Sequence, residues 1–486
     1  MGAGPAGLTA AYELMKHAVP ITVIEKDAGY VGGLARTVEH KGYRFDIGGH
    51  RFFSKNQEVE DLWTEILGPE MLTRDRLSRI YYRGRFFAYP LKAVNALWNL
   101  GLIETVRCMA SYSRARLFPI RNPRSFQDWV RNQFGWRLYS IFFKTYTEKV
   151  WGIPTTELSA DWAAQRIKSL DLLLVLKSAL LPHRKPTHRD DIVTTLIDSF
   201  RYPRFGPGQM WERVAEICAE KGQPVLFGQA VDGIKHDRGR VRSVITRTAS
   251  GNIVENIGTD FVSSIPIRQL IARLDPPAPE AVQKAANSLA YRDFISVALM
   301  IDRADVFPDN WIYIHDPSVR VGRIQNFKNW SPDMVPDQAK TCLGLEYFCF
   351  EGDGMWTSDD ATLIHLATKE LAHLGICTPD QVFDGVVVRQ PKAYPVYDDA
   401  YQAHVDVVRE YLSSQLSNLH LVGRNGMHKY NNQDHSMMTA LLVARNIATG
   451  SSHDPWKVNA EAVYHEDVHV GERDTTGRKV PQRLAG

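Results

Sequence analysis

A mixed α/β fold, in which a Rossmann-type nucleotide unit carries an inserted helical lobe and an antiparallel sheet, is predicted by these 486 residues. Three observations predict it. Gly2, Gly4 and Gly7 space a G-x-G-x-x-G turn that leads into a helical apolar face (Leu8, Ala11, Tyr12, Met15), a β-branched run at 21–24 and an acid, Glu25. Residues 90–188 then keep a helical period. From about 290 to 400 the pattern changes to β-rich runs at moderate spacing.

Each part of the opening turn has a physical task. Gly2 permits the tight turn, Gly4 lets backbone approach the phosphates, and Gly7 lets the helix pack close, so that a pyrophosphate sits on the helix N-terminus. Glu25 stands where the ribose hydroxyls would be held. A lone G-x-G-x-x-G occurs in many glycine-rich turns. The helix, strand and acid at the right spacing are what point to a dinucleotide. A Rossmann unit also sets a central strand ahead of the first glycine, and no residues are present to build it. The expectation is therefore that the natural chain starts further upstream, because losing that strand exposes two neighbouring strand edges.

The remaining elements follow in order. A hairpin is expected with 80–83 against 85–89, turning at Gly84. In the helical stretch Ser125 and Asp128 have the spacing of a capping box, and Trp129, Phe134, Leu138, Phe142 and Phe143 supply a core face. The Pro/Gly-rich segment 202–208 leads into a helix ending at Gly222. Short strands at 225–227, 231–236, 241–247 and 261–265 mark a return to the nucleotide unit. The antiparallel sheet takes 294–301, 311–315, 321–327, 342–350 and 386–389. A strand at 419–423 and a helix from about 436 to 448, capped near Gly450, complete the order. The expected domains are a nucleotide-binding domain from 1–88, 189–265 and 410–465, a helical domain at 89–188, a sheet domain over the substrate at 266–409, and a loose tail at 466–486.

Composition narrows the function classes. With 44% apolar and 10% aromatic residues the chain can bury a large core. A net charge of +3 leaves no field that implies nucleic acid. The cluster from Arg184 to Arg189 is either a solvated loop or a hold for an anionic substrate. Five cysteines without a C-x-x-C pair fit a reduced, cytoplasmic setting. The longest apolar run, 172–181, is too short to span a membrane, so no integral membrane segment is expected. Residues 91–118, with Arg107, Arg114 and Arg116, form an amphipathic pattern that suits either a domain helix or a membrane surface. No H-E-x-x-H or P-loop motif is present, and no metal is expected. Oligomeric state is not readable.

Three further glycine segments change the dinucleotide into a flavin. Gly32-Gly33-Leu-Ala-Arg36 follows Glu25 by a short loop, and Asp46-Ile-Gly48-Gly49-His50 and Gly423-Arg424 add two more close approaches. Each alone would pass as a turn. In this order they resemble the two-dinucleotide-binding flavoproteins, the class of amine oxidases, protoporphyrinogen oxidase and carotenoid desaturases, and the resemblance implies FAD. Within that class the chain resembles the UDP-galactopyranose mutase family from residue 1 to about 450. Six blocks carry the likeness: Asp46-Ile-Gly-Gly-His-Arg-Phe-Phe-Ser54; Tyr146-Thr-Glu-Lys-Val-Trp-Gly-Ile-Pro154; Trp162-Ala-Ala-Gln-Arg166; Gly322-Arg323 ahead of Asn329-Trp-Ser-Pro332; Ala393-Tyr394-Pro395; and Tyr430-Asn-Asn-Gln-Asp-His-Ser436. Arg51-Phe-Phe departs from the small or β-branched residues of many members.

This resemblance implies pyranose–furanose interconversion of a nucleotide sugar through a covalent adduct between the sugar and N5 of reduced FAD, with no net redox change. A reductant such as NAD(P)H would keep the flavin reduced. Arg166 and Arg323 are implied as the clamp on the diphosphate, a task that suits bidentate guanidinium groups; their alternative is an ordinary ion pair. Tyr394 and Tyr430 are implied as phenolic donors to the same phosphates, and Tyr313 as another substrate-site tyrosine, against the alternative of core tyrosines. His50 would lie over the flavin, its charge and hydrogen bonds favouring the reduced anion. Trp151 either lines the sugar or uracil pocket or packs the lobe. Arg36 meets the cofactor phosphates. Asp434 stands just before a helix whose positive end would face the flavin, and it would cap that helix. An FAD-dependent oxidoreductase shares the glycine segments without needing the arginine pair; a non-catalytic nucleotide-binding or scaffold protein is the remaining alternative.

Overall fold

The glycine turn and its helix form as the spacing predicts. In the computed structural model, which describes residues 1–89, 93–158, 160, 199–398 and 400–459, Pro5–Lys16 is a helix with proline in its first turn. One face of it packs on the long helix Gln433–Thr449, through Ala6, Ala10, Ala440 and Val443. Its other apolar side joins a core with Trp63 of Gln57–Leu67 and Trp211 of Gly208–Glu220, both fully buried and set edge to face at 5.8 Å. Burying a large apolar side chain of this kind stabilises by roughly 1.5–3 kcal/mol.

Two short parallel pairs flank the first residues. Val23–Ile24 pairs with Val225–Leu226, and Phe261–Ser263 pairs with Leu419–Leu421. Met1 and Gly2 lie between them: Gly2 N donates to the Ile24 carbonyl at 2.8 Å, Met1 N to that of Val262 at 2.8 Å, and Ser264 N to that of Met1 at 3.1 Å. The backbone just ahead of the glycine turn thus occupies the central position of a parallel sheet. A four-stranded sheet lies beside this unit, in the order Ile253–Ile257, Arg240–Thr248, Gln229–Asp237, Leu274–Asp275.

The second large layer is a seven-stranded sheet in the order Val382–Pro395, Tyr291–Ile301, Thr341–Cys349, Arg323–Asn326, Trp311–Ile314, Ser78–Tyr82, Arg85–Ala88. It is antiparallel except where Trp311–Ile314 meets Ser78–Tyr82 in parallel. The expected hairpin is formed, turning at Arg83 and Gly84 with φ of 49° and 75°, a mirror-type turn that matches strand twist. It pairs with this sheet and not with the strands of the nucleotide unit. Alternation inside the hairpin is locally neutral about its partner, which only the sheet edge decides. Tyr291–Ile301 is buried along its whole length because both edges are paired and both faces are covered: Leu363, Ala367 and Leu371 of the helix Asp360–His373 on one side, Trp311, Phe327 and Trp330 on the other.

The described part of the helical lobe holds Ala93–Leu100, Leu102–Leu117, Phe126–Leu138 and Thr145–Trp151, with a π-helical stretch at Tyr139–Lys144. Ser125 caps the third of these, its Oγ accepting from Asp128 N at 3.1 Å. Arg166, the cluster from Arg184 to Arg189, the apolar run 172–181 and the tail lie outside the described residues. Among the described residues no helix is long and apolar enough to cross a membrane, and all five cysteines are free and buried.

Candidate active site

Segments distant in sequence wall a single cavity of about 540 Å³. Gly2, Gly4, Glu25, Gly33 and Arg36 come from the opening unit, Gly49 and His50 from the glycine-histidine loop, and Gly423, Arg424 and Asp434 from the C-terminal part. Gly7, Gly32 and Gly48 stand behind that wall. Gly7 packs the helix on the turn, where an added Cβ would come within 1.9 Å of the Gly2 carbonyl oxygen. Gly32 N donates to the Ala3 carbonyl at 2.8 Å and carries the chain past the turn. Glu25 is buried, with Oε2 accepting from Ala3 N at 2.7 Å and Oε1 from Asp27 N at 2.9 Å. A carboxylate has about four acceptor positions, so two hydroxyls can still be received.

Arg36 binds Asp27 through Nη1 at 3.2 Å, while its buried Nε has no hydrogen-bond partner among the described residues. A buried donor left unmade is costly, and a phosphate oxygen in the cavity would satisfy it. The glycine wall, the acid beside it and this orphaned donor fit a dinucleotide.

The C-terminal helix begins differently from expectation. Its N-cap is Asn432, which exchanges hydrogen bonds with His435 in a capping box, Asn432 N lying 3.2 Å from His435 Nδ1. Asp434 is one residue inside the helix and does not cap it; its Oδ2 accepts from Ser54 Oγ at 3.3 Å. The expectation took the nearest acid, but the extended backbone that a cap requires falls at Asn432.

A second cluster adjoins the cavity through Gly49. An added Cβ there would lie 2.6 Å from Gln325 Nε2 and 3.6 Å from Arg323 Cζ, so a side chain would push the Gln325 amide away from Glu346. Arg323 faces Glu346 across paired strands, with Nε and Nη2 each 2.6 Å from Glu346 Oε2, and Gln325 Nε2 holds Oε1 at 2.8 Å. Burial alone would lower the guanidinium's pKa; Glu346 beside it holds it well above the usual range, so Arg323 is a permanent cation. Tyr313 is its neighbour on the other side in register. Tyr146, from the helix Thr145–Trp151, meets Tyr313 edge on at 5.4 Å and stacks on His315 at 4.9 Å. Tyr394 and Tyr430 stack at 5.6 Å with the Arg424 guanidinium over both rings, 5.3 and 4.9 Å from their centres. Arg424 also donates to the Asn431 carbonyl at 2.8 Å and that of Ala393 at 2.9 Å, tying the two tyrosine segments together.

Titration is shaped by this crowding. Burial, reinforced by Arg424 and Arg323, pushes His50 down to about 3, so the imidazole is neutral. The expected charge on His50 is therefore corrected: burial and the two arginines disfavour it, leaving a hydrogen-bonding role. Burial pushes Tyr394 up to about 12 and Tyr146 well above the usual range, so both keep their protons as donors. Trp151 is buried in the lobe core with Phe126, Val130, Phe134, Tyr139 and Leu158, its ring 6.5 Å from that of Tyr430.

Asp46, at the start of the glycine-histidine loop, accepts from Tyr202 Oη at 2.6 Å and Thr37 Oγ1 at 3.0 Å. Burial nevertheless raises its carboxyl from the ordinary 3.8 to about 7. A raised acid holds its proton in the folded state where the unfolded chain has lost it, so its contribution to stability falls as pH rises from about 4 to about 7. Asp46→Asn is expected to remove that slope, worth up to about 4 kcal/mol. The gap between the thermal midpoints of the two proteins should be smallest near pH 4 and shift in favour of the variant as pH rises to about 8.

The chain belongs to the flavin-containing amine oxidoreductase family, whose profile matches residues 5–448. FAD is the cofactor of that class. Among relatives, a probable UDP-galactopyranose mutase of Klebsiella pneumoniae is 24% identical over 171 residues, a match spanning 33% of this chain and 42% of the relative. Among solved structures, reduced UDP-galactopyranose mutase superposes with a TM-score of 0.78 at 20% identity, covering 96% of this chain and 98% of that one. Cyclohexylamine oxidase from Brevibacterium oxydans IH-35A superposes at 0.62 with 14% identity, covering 92% and 98%.

Tyr146, Glu346 and Gln325 were not singled out as site residues by sequence. Tyr146 opens one of the quoted blocks. Glu346 had its own signal, a lone acid in the otherwise apolar 341–349, which must find a buried partner.

Proposed function

We propose that the protein interconverts the pyranose and furanose forms of a nucleotide-linked hexose, of the UDP-galactose type, on reduced FAD. The observation that carries this reading is Arg323, a cation fixed by Glu346 beside the glycine-histidine loop and ringed by Tyr313, Tyr146 and Tyr394. Such a cluster suits a diphosphate, the leaving and returning group of the reaction. Two of the five guanidinium donors go to Glu346, and the others remain for phosphate oxygens. The protonated phenol of Tyr394, with Tyr430 and Tyr313, would donate to the same group, and Arg166 would be the second cation.

FAD would be held by the turn at Gly2, Gly4 and Gly7, by Glu25, Arg36, the glycine pairs Gly32-Gly33 and Gly48-Gly49, and Gly423-Arg424. In its reduced form it supplies the nucleophile for the anomeric carbon. Neutral His50 offers hydrogen bonding next to it without adding charge. The N-terminus of the helix Gln433–Thr449 brings a positive dipole end to the cavity, which favours an anionic cofactor.

A redox reaction on an amine is the second reading, favoured by the family match. Electrostatics argue against it. An ammonium substrate would meet Arg323 and Arg424, and Glu346 is already engaged. Mixing the oxidised, flavin-loaded protein anaerobically with a panel of amines should leave the visible flavin band intact, whereas UDP should perturb it. Bleaching by an amine would overturn the proposal.

A further inference from the structure

We propose that the outer face of the helical lobe docks on an anionic phospholipid surface. This stands on the lobe alone and does not depend on the sugar chemistry above. The helix Leu102–Leu117 inverts the ordinary amphipathic pattern. Its buried positions are Cys108 and Tyr112, one turn apart: Cys108 packs with Ile80, Phe87, Ile141 and Phe142, and at Tyr112 the backbone rests on the helix Phe126–Leu138, where Gly135 has φ 77° and an added Cβ would meet the Tyr112 nitrogen at 2.7 Å. Its large apolar side chains point outward: Leu102 is 80% exposed, Ile103 72% and Val106 60%, with Leu117 at 74% toward the other end. Trp98 on the preceding helix and Phe118 just past the C-terminus are exposed as well. Bulky apolar groups gathered on one exposed face mark an interaction site.

Charge selects the occupant. Residues 93–127 contain five arginines, Arg107, Arg114, Arg116, Arg121 and Arg124, all exposed, and a single acid, Glu104. That acid is half-buried, lies 3.6 Å from Arg107 and accepts from Arg137 at 2.8 Å. A second copy of this face would set arginine against arginine, with Glu104, already held by Arg107 and Arg137, as the one acid of the stretch. A bilayer of anionic lipid answers both features, acyl chains receiving the apolar groups and phosphates the guanidiniums, as in helices that lie in the membrane interface. Long arginine stems let the charges stay at headgroup level.

The test is cosedimentation of the full-length, flavin-loaded protein with vesicles. Binding is expected to mixed phosphatidylglycerol–phosphatidylcholine vesicles, not to phosphatidylcholine alone, and to weaken with added salt. Two variants should each weaken it by about tenfold or more, one apolar (Leu102→Gln, Ile103→Gln, Val106→Gln) and one of charge (Arg107→Glu, Arg114→Glu, Arg116→Glu). Both should keep the circular dichroism and flavin spectrum of the parent. Absence of binding, equal binding to the two vesicle types, or indifference to both variants would overturn the proposal. So would a concentration-dependent doubling of mass without lipid that the apolar variant abolishes, which would assign the face to a second copy.

Discussion

Arg323→Lys is expected to lower turnover of a nucleotide sugar by about 10²–10³-fold while leaving flavin bound. An ammonium keeps the charge and can still reach Glu346, so the buried carboxylate is not abandoned, and the cost of an uncompensated buried charge is avoided. What is lost is the planar fork. Arg323 spends Nε and Nη2 on Glu346 and has further donors fixed in the same plane, a division of labour that three donors on a flexible stem do not reproduce. Steady-state kinetics should show the loss, with UDP affinity falling alongside it. Activity within a few-fold of the parent would mean that the cation is structural. Arg323→Ala is a poorer test, because it leaves Glu346 buried, 1% exposed, with only Gln325 for company.

Gly7→Ala is expected to abolish flavin binding and to destabilise by about 3 kcal/mol. The added methyl would lie 1.9 Å from the Gly2 carbonyl oxygen and 3.0 Å from its carbon, both backbone atoms of the turn itself. Relief requires the helix Pro5–Lys16 to back away from Gly2, whose nitrogen is bonded to the Ile24 carbonyl. That motion would open the pocket wall and shift the helix dipole off the phosphates. Flavin absorbance per protein, and a thermal midpoint with and without added FAD, check it. Gly4→Ala is a useful contrast: its Cβ would meet nothing nearer than 3.8 Å, so any loss of flavin there reports on the cofactor's own approach.

Most of the fold was legible because local rules and tertiary context agree. The helix after the glycine turn, the strands at 229–237 and 240–248, and the apolar run 297–301 within the strand Tyr291–Ile301 each carry a pattern that has one physical solution. The hairpin at 78–88 was legible in form but not in address, since alternation says which face is buried and nothing about the neighbouring strand. The helices Glu280–Ser288, Asp360–His373 and Tyr401–Gln415 were not anticipated. They lie in a stretch read for its β-branched runs.

The candidate site was legible as a set of segments and not as a geometry. Glycine spacing pointed to the wall of the cavity. That Gly49 rests on Gln325 and Arg323, joining the cofactor cavity to the arginine cluster, depends on a loop meeting a strand over 270 residues away in sequence. The charge of His50 could not be read either, because it is set by Arg424 and Arg323, far along the chain. Placement of Asp434 as a cap failed for a local reason: Asn, Asn, Gln and Asp in succession offer several caps, and backbone conformation picks one.

The most direct measurement is to incubate the flavin-loaded protein with UDP-galactopyranose and, in parallel, UDP-galactofuranose, with and without dithionite, and to separate the products by chromatography. The proposed function predicts interconversion in both directions, only when the flavin is reduced. A bound and reducible flavin that interconverts neither sugar would contradict it, as would turnover by the oxidised flavin with consumption of oxygen.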